Sequence, residues 1–188
     1  MPLIKVPKER RHLLTQFEVA QMIEKAPTLR DKSIIALYYI TGIRCSEAWS
    51  IGKDDIWWDM ESLHLRITRK KRSKKEVIPS PSILIIDLKT PFIEHIQRQK
   101  EATEDGKQVW HYADNPTTAR IYMSRMLKSL NQDVWPHLFR HTRAESFRIK
   151  DFSDRELMAW FGWKDIRSTT KYTHPSEKTI KKMGSEIQ

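Results

Sequence analysis

The feature that most restricts what this chain can fold into is a change of hydrophobic period part-way along it. Up to Gly42 the apolar residues recur at helical spacing, and they do so again from Thr117 to Tyr172. Between these stretches Leu63, Leu65 and Ile67 alternate with His64 and Arg66, the two-residue period of a half-buried strand. A strand period cannot keep one face of a helix apolar, nor a helical period one face of a sheet. One short β region between helical stretches therefore predicts a mainly α fold with a small antiparallel β-sheet or hairpin. The 188 residues suffice for one main domain with its own core.

Local signals set the expected boundaries. Thr15-Gln16-Phe17-Glu18 has the capping-box pattern, in which a hydroxyl and a carboxylate three residues apart satisfy each other's orphan N–H groups, so a helix should run from there to about Ala26, before Pro27. A second helix, Leu29 to about Thr41, carries Ile34, Ile35, Leu37, Tyr38 and Ile40, enough for burial nearly all round, and Gly42 ends it. The strand Leu63 to Ile67 should turn through a basic segment and pair with Lys75-Glu76-Val77-Ile78, as far as Pro79, which lacks an N–H. Ser82 to Leu88 suits strand or helix. Thr90-Pro91 before Phe92, Ile93 and Ile96 reads as a cap, a first-turn proline and a helix. Later breaks are expected at Asn131 to Pro136 and at Gly162, and Ser153-Asp154-Arg155-Glu156 is a second capping box.

The formal charge is +10, and the excess is concentrated. Arg66, Arg69, Lys70, Lys71, Arg72, Lys74 and Lys75 fall at the expected hairpin tip with no acid among them. Such a field suits phosphate, although charge alone fits a solvated loop equally well. The lone Cys45 excludes an internal disulfide, the apolar stretch Ser33 to Ile43 is too short to span a bilayer, and the N-terminus lacks a signal-peptide run. These features predict a soluble cytoplasmic protein without membrane contact. Residues 1–14, basic and carrying Pro2 and Pro7, read as an arm.

Several polar residues could carry chemistry. In His137-Leu138-Phe139-Arg140-His141, His137 and Arg140 share a helix face and can address one target, although surface ion pairing is the ordinary role of such a pair. No Cys or carboxylate completes a zinc site with His137 and His141, so no metal is expected. In Thr41-Gly42-Ile43-Arg44-Cys45-Ser46-Glu47, the carboxylate three residues after Arg44 can lock its side chain. A preorganised arginine binds phosphate bidentately; standing alone, the pair would be a structural salt bridge. Tyr172 follows a short segment, 166–171, that Asp165 can cap, and a single tyrosine is ordinarily packing.

In combination, these elements resemble the tyrosine recombinase, or phage-type integrase, family, whose catalytic domains read arginine, lysine, His-x-x-Arg, His or Trp, then tyrosine. The segment 41–47 looks like the first arginine box, with Arg44 the arginine and Glu47 its acid. Lys71, eight residues before Pro79, matches the lysine of the hairpin tip, with Lys70 as the adjacent alternative. His137 to His141 is similar to the second box, and Phe161-Gly162-Trp163 matches a position usually written Leu-Gly-His. Tyr172 follows Trp163 by nine residues, the family spacing. The resemblance covers roughly Thr15 to His174.

The resemblance implies the tyrosine recombinase catalytic-domain fold over 15–174; in the C-terminal tail, 175–188, Ile180, Met183 and Ile187 fall on one helical face, so a helix there could dock on its own core or on a neighbour. It implies strand cleavage and rejoining of double-stranded DNA through a 3′-phosphotyrosine at Tyr172, without cofactor or metal. Arg44 and Arg140 would meet the phosphate charge, His137 would accept the tyrosine proton, Lys71 would protonate the leaving 5′-oxygen, and Trp163 would hydrogen-bond the phosphate or pack. Glu47 and His141 would support them, while Arg69, Lys70, Arg72, Lys74 and Lys75 would bind DNA. Protomers would be monomeric in free solution and tetrameric on DNA. The 14 residues before Thr15 are too few for the family's N-terminal helical domain. A type IB topoisomerase and a non-catalytic DNA-binding protein are the alternatives that share this pattern.

Overall fold

The computed structural model describes residues 12–59, 62–70, 77–79, 83–85 and 92–169. Helix α1, Gln16–Lys25, opens on the capping box expected at Thr15, whose hydroxyl accepts from the Glu18 N–H while the Glu18 carboxylate accepts from the Thr15 N–H at 2.8 Å. Helix α2, Leu29–Thr41, is the centre of the domain: Ile34, Ile35, Leu37 and Tyr38 are wholly buried, and α1, α4 and α6 all pack against it. Gly42 ends α2 at φ +63, the left-handed conformation in which a side chain is strained. A short helix α3, Cys45–Trp49, follows at once.

The β region is more elaborate than a single hairpin. Strands β1, Ile56–Asp59, β2, Ser62–Leu65, and β5, Ile83–Ile85, form an antiparallel sheet in the order β1-β2-β5, with Trp57 opposite His64 and Leu63 opposite Ile85. Strands β3, Thr68–Lys70, and β4, Val77–Pro79, form a separate pair with Thr68 opposite Pro79. The expected partnership of Leu63 to Ile67 with Lys75 to Ile78 is thus corrected: β2 pairs with β1 and β5, and it is β3 that pairs with β4. Residues 60–61 alone link β1 to β2, so that pairing closes a far shorter loop than one across the basic segment. Ile56-Trp57-Trp58-Asp59 gave no alternation by which to expect β1, and the ambiguous 82–88 contributes a strand.

Helix α4, Ile93–Glu101, starts later than Thr90-Pro91 suggested; its N-cap is Phe92, in a left-handed conformation, and residues 90–91 lie outside the described residues. Helices α5, Pro116–Leu130, α6, Pro136–Ile149, and α7, Asp154–Phe161, fill the second half, with breaks at 131–135 and Gly162 as expected. Pro116 and Pro136 each sit in a first turn, where their missing N–H costs nothing. Ser153 caps α7 through its box with Glu156. The core joins Val19 of α1, the α2 residues, Ile56, Leu63 and Leu65 of the sheet, Ile96 of α4, Met123 and Leu127 of α5, and Leu138 and Phe139 of α6. A smaller cluster of Ala144, Leu157 and Phe161 ties α6 to α7. Among the described residues no helix is long and apolar enough to cross a membrane.

Gly42 is doubly constrained. A Cβ there would stand 2.9 Å from Phe161 Cε1 and 3.1 Å from Arg143 Cβ. The left-handed backbone alone costs an L-residue about 1–2 kcal/mol, and the contacts add to it, so Gly42→Ala should lower unfolding free energy by at least that much in urea titration. An unchanged midpoint would refute this account of the turn.

Candidate active site

The last turn of α2 ends in carbonyls that have no partner within the helix, as every α-helix does. Here side chains from two other helices supply the donors. Arg140 Nη1 of α6 donates to the Gly42 carbonyl at 3.0 Å, and Trp160 Nε1 of α7 donates to the Thr41 carbonyl at 2.8 Å. Arg143 of α6 donates to the Tyr39 carbonyl through Nε at 3.0 Å and through Nη2. Arg140 also donates through Nη2 to the Phe161 carbonyl at 2.7 Å, at the C-terminus of α7. Its buried guanidinium is therefore seated on two helix C-termini, whose partial negative charge favours a cation. The Phe161 ring lies 4.7 Å and the Trp163 ring 5.6 Å from the Arg140 guanidinium carbon, and these two rings stack 4.8 Å apart.

Arg44 is fixed differently. Glu47, buried in α3, accepts from the Arg44 N–H through Oε2 at 2.9 Å and from Arg44 Nη1 through Oε1 at 2.7 Å. One carboxylate thus holds both the backbone and the side chain of a half-exposed arginine. The approach to Arg44 is tied back to α2 by Thr41, whose hydroxyl donates to the Leu37 carbonyl and accepts from the Ile43 N–H.

His137 lies in the first turn of α6, one turn before Arg140. Partial desolvation, and then the charges of Arg140 and Arg44, hold its pKa below the ordinary 6.5, while Glu47 acts in the opposite direction. The lowered pKa favours the neutral imidazole, the form able to accept a proton. The structure brings Arg44, Glu47, His137, Arg140 and Trp163 together around the end of α2, with His141 half-buried one turn beyond His137. Arg69 and Lys70 fall in β3. Lys71, Arg72, Lys74, Lys75 and Tyr172 lie outside the described residues. Sequence reasoning passed over Arg143 and Trp160, whose partners are 104 and 119 residues away, and Arg120 of α5, whose charge also lowers the His137 pKa. No local pattern marks any of the three.

A model of the phage integrase family matches residues 12–179. The chain belongs to that family. Relatives within it include the tyrosine recombinase XerC of Listeria innocua, 29% identical over 172 residues, which is 88% of this chain and 56% of that protein. The tyrosine recombinase XerA of Pyrococcus horikoshii is 26% identical over 94% of this chain and 61% of its own length. The chain thus spans about three fifths of the relatives it matches. The fold agrees: a crystal structure of the XerH site-specific recombinase bound to its difH substrate before cleavage superposes with TM-score 0.69 at 15% identity, covering 97% of this chain and 56% of that one. The crystal structure of XerA recombinase gives 0.63 at 18%, covering 98% and 66%.

The sign of the His137 shift has consequences. As pH falls from 6.5 through the lowered folded value, the unfolded chain binds a proton that the folded one resists, so this residue weakens folding as pH falls and has no such effect above 6.5. In an NMR titration of its imidazole, His137 should titrate below 6.5. Arg44→Ala should move that pKa upward and Glu47→Gln downward. Shifts of the opposite sign would show that the two charges do not act on His137.

Proposed function

We propose that this chain cleaves and rejoins double-stranded DNA through a covalent 3′-phosphotyrosine at Tyr172, as the catalytic part of a site-specific recombinase. The observation that carries this reading is the pair of immobilised arginines, Arg140 on two helix C-termini and Arg44 on Glu47, beside a histidine kept neutral. Attack on a phosphodiester builds negative charge on the non-bridging oxygens, and donors fixed beforehand stabilise that charge without reorganising. A guanidinium offers five N–H groups in a planar fork that matches phosphate.

The reaction then follows from the residues. Tyr172 Oη attacks phosphorus and gives its proton to His137, whose depressed pKa leaves it unprotonated beforehand. The bond from phosphorus to the 5′-oxygen breaks, and Lys71, or Lys70 beside it, supplies the proton that oxygen takes. Trp163 has an indole N–H and no titratable group, so it donates a hydrogen bond or packs and cannot shuttle a proton. The energy of the phosphodiester is kept in the phosphotyrosine, so a new 5′-hydroxyl can reverse the steps. The family's relatives are named recombinases, and strand exchange between two duplexes cuts four strands. We accordingly assign a tetramer on DNA, formed from monomers, and give the basic residues of 69–75 to phosphate contact.

The test is a denaturant-stable adduct between the protein and a nicked duplex carrying the site it selects from random sequence, formed in EDTA. Wild type should form it and Tyr172→Phe should not. Arg44→Ala and Arg140→Ala should bind the duplex yet cleave about 10²–10³ times more slowly, the usual cost of one preorganised donor. An adduct surviving Tyr172→Phe would move the nucleophile; selective binding with no adduct in wild type would make the protein a DNA-binding factor.

A further inference from the structure

Arg143 makes no contact that the reaction requires, yet it is built into the site's foundation. It follows Arg140 by one turn of α6, and its acceptor, Tyr39, precedes Arg140's acceptor, Gly42, by one turn of α2. The two arginines are therefore successive rungs between the same pair of helices. Trp160 of α7 bonds to Thr41 between those rungs, and the next residue, Phe161, gives its carbonyl to Arg140.

Packing does not explain an arginine at this position. Arg143 is largely shielded from solvent and has no carboxylate partner among the described residues. It sits against the rings of Tyr39 and Phe147, at 5.2 and 5.7 Å, where an apolar side chain would pack without the desolvation of a charge. What only a guanidinium can do is hold one carbonyl with two N–H groups in a fixed plane, which resists rotation and sliding of α6 on α2.

We propose that Arg143 is a positioning residue for the arginine pair: its fork on the Tyr39 carbonyl holds α6 at the rotation and height on α2 where Arg140 and Arg44 face one phosphate. This rests on the reading that these two arginines bind the scissile phosphate. A misplacement of about 1 Å can cost on the order of 10²-fold in rate, so a small slip of α6 would matter.

The experiment compares wild type, Arg143→Met and Arg143→Lys in single-turnover cleavage of the selected nicked duplex, with the rate constant and the adduct-forming fraction read separately. In Arg143→Met the rate constant should fall about 10- to 100-fold, while the reactive fraction and DNA affinity stay within about threefold. Arg143→Lys, with charge but no fork, should recover part of the rate. The same duplex with a neutral methylphosphonate at the scissile position asks less of the arginines, and there the defect of Arg143→Met should shrink to about threefold or less. A loss confined to the reactive fraction, or an equal defect on both linkages, would overturn the proposal. Independently of any substrate, the Arg140 side-chain N–H resonances should broaden in Arg143→Met; unchanged resonances would also overturn it. Absence of an adduct in wild type would count against the proposed function alone, leaving the clamp to be judged by those resonances.

Discussion

The capping of α2 by side chains from elsewhere is the interaction on which the rest of the site depends. A buried helix end with unsatisfied carbonyls is costly, and water cannot readily serve one at the centre of a domain. Tyr39, Thr41 and Gly42 instead receive donors from Arg143, Trp160 and Arg140. The same bonds set where α6 and α7 lie against α2. Because Arg44 follows Gly42 within two residues, the first arginine box is placed by the chain itself while the second is placed by its bonds to that chain. Gly42 makes this approach possible, since Arg140 Cα, Arg143 Cβ and Phe161 Cε1 occupy the space around it that a Cβ would need.

Two cations, one buried and one half-exposed, act on the same imidazole and repel one another. Each is compensated where it sits. Arg140 uses the negative ends of α2 and α7, and Arg44 uses the Glu47 carboxylate. Burial lowers the His137 pKa first, and the positive field that remains lowers it further. The charges of Arg140 and Arg44 thus act in the same direction as burial on this imidazole, both favouring its neutral form.

Much of this was legible in the sequence where its cause is local. Capping boxes at Thr15 and Ser153, the end of α2 at Gly42 and the break at Gly162 depend on residues within one turn of each other, and each expectation matches the structure. The Arg44–Glu47 bond, three residues apart, was legible for the same reason. The β region was less so. Its alternation revealed β2, but register and partner depend on which strand returns first, and Trp57-Trp58 hid the strand that does. The start of α4 was misplaced because a left-handed Phe92, with no side-chain cap, leaves no sequence signal.

The sequence by itself determined the helical class, the residues available for chemistry and their order, because spacing along a chain fixes which side chains share a helix face. Only the tertiary structure decided which of them meet. Arg140 reaches Gly42 across 98 residues and Arg143 reaches Tyr39 across 104, and no periodicity encodes a hydrogen bond to a backbone carbonyl, since every residue carries one. Which carbonyl is left over for a distant arginine depends on where a helix ends and what packs against that end. That is a property of the folded domain.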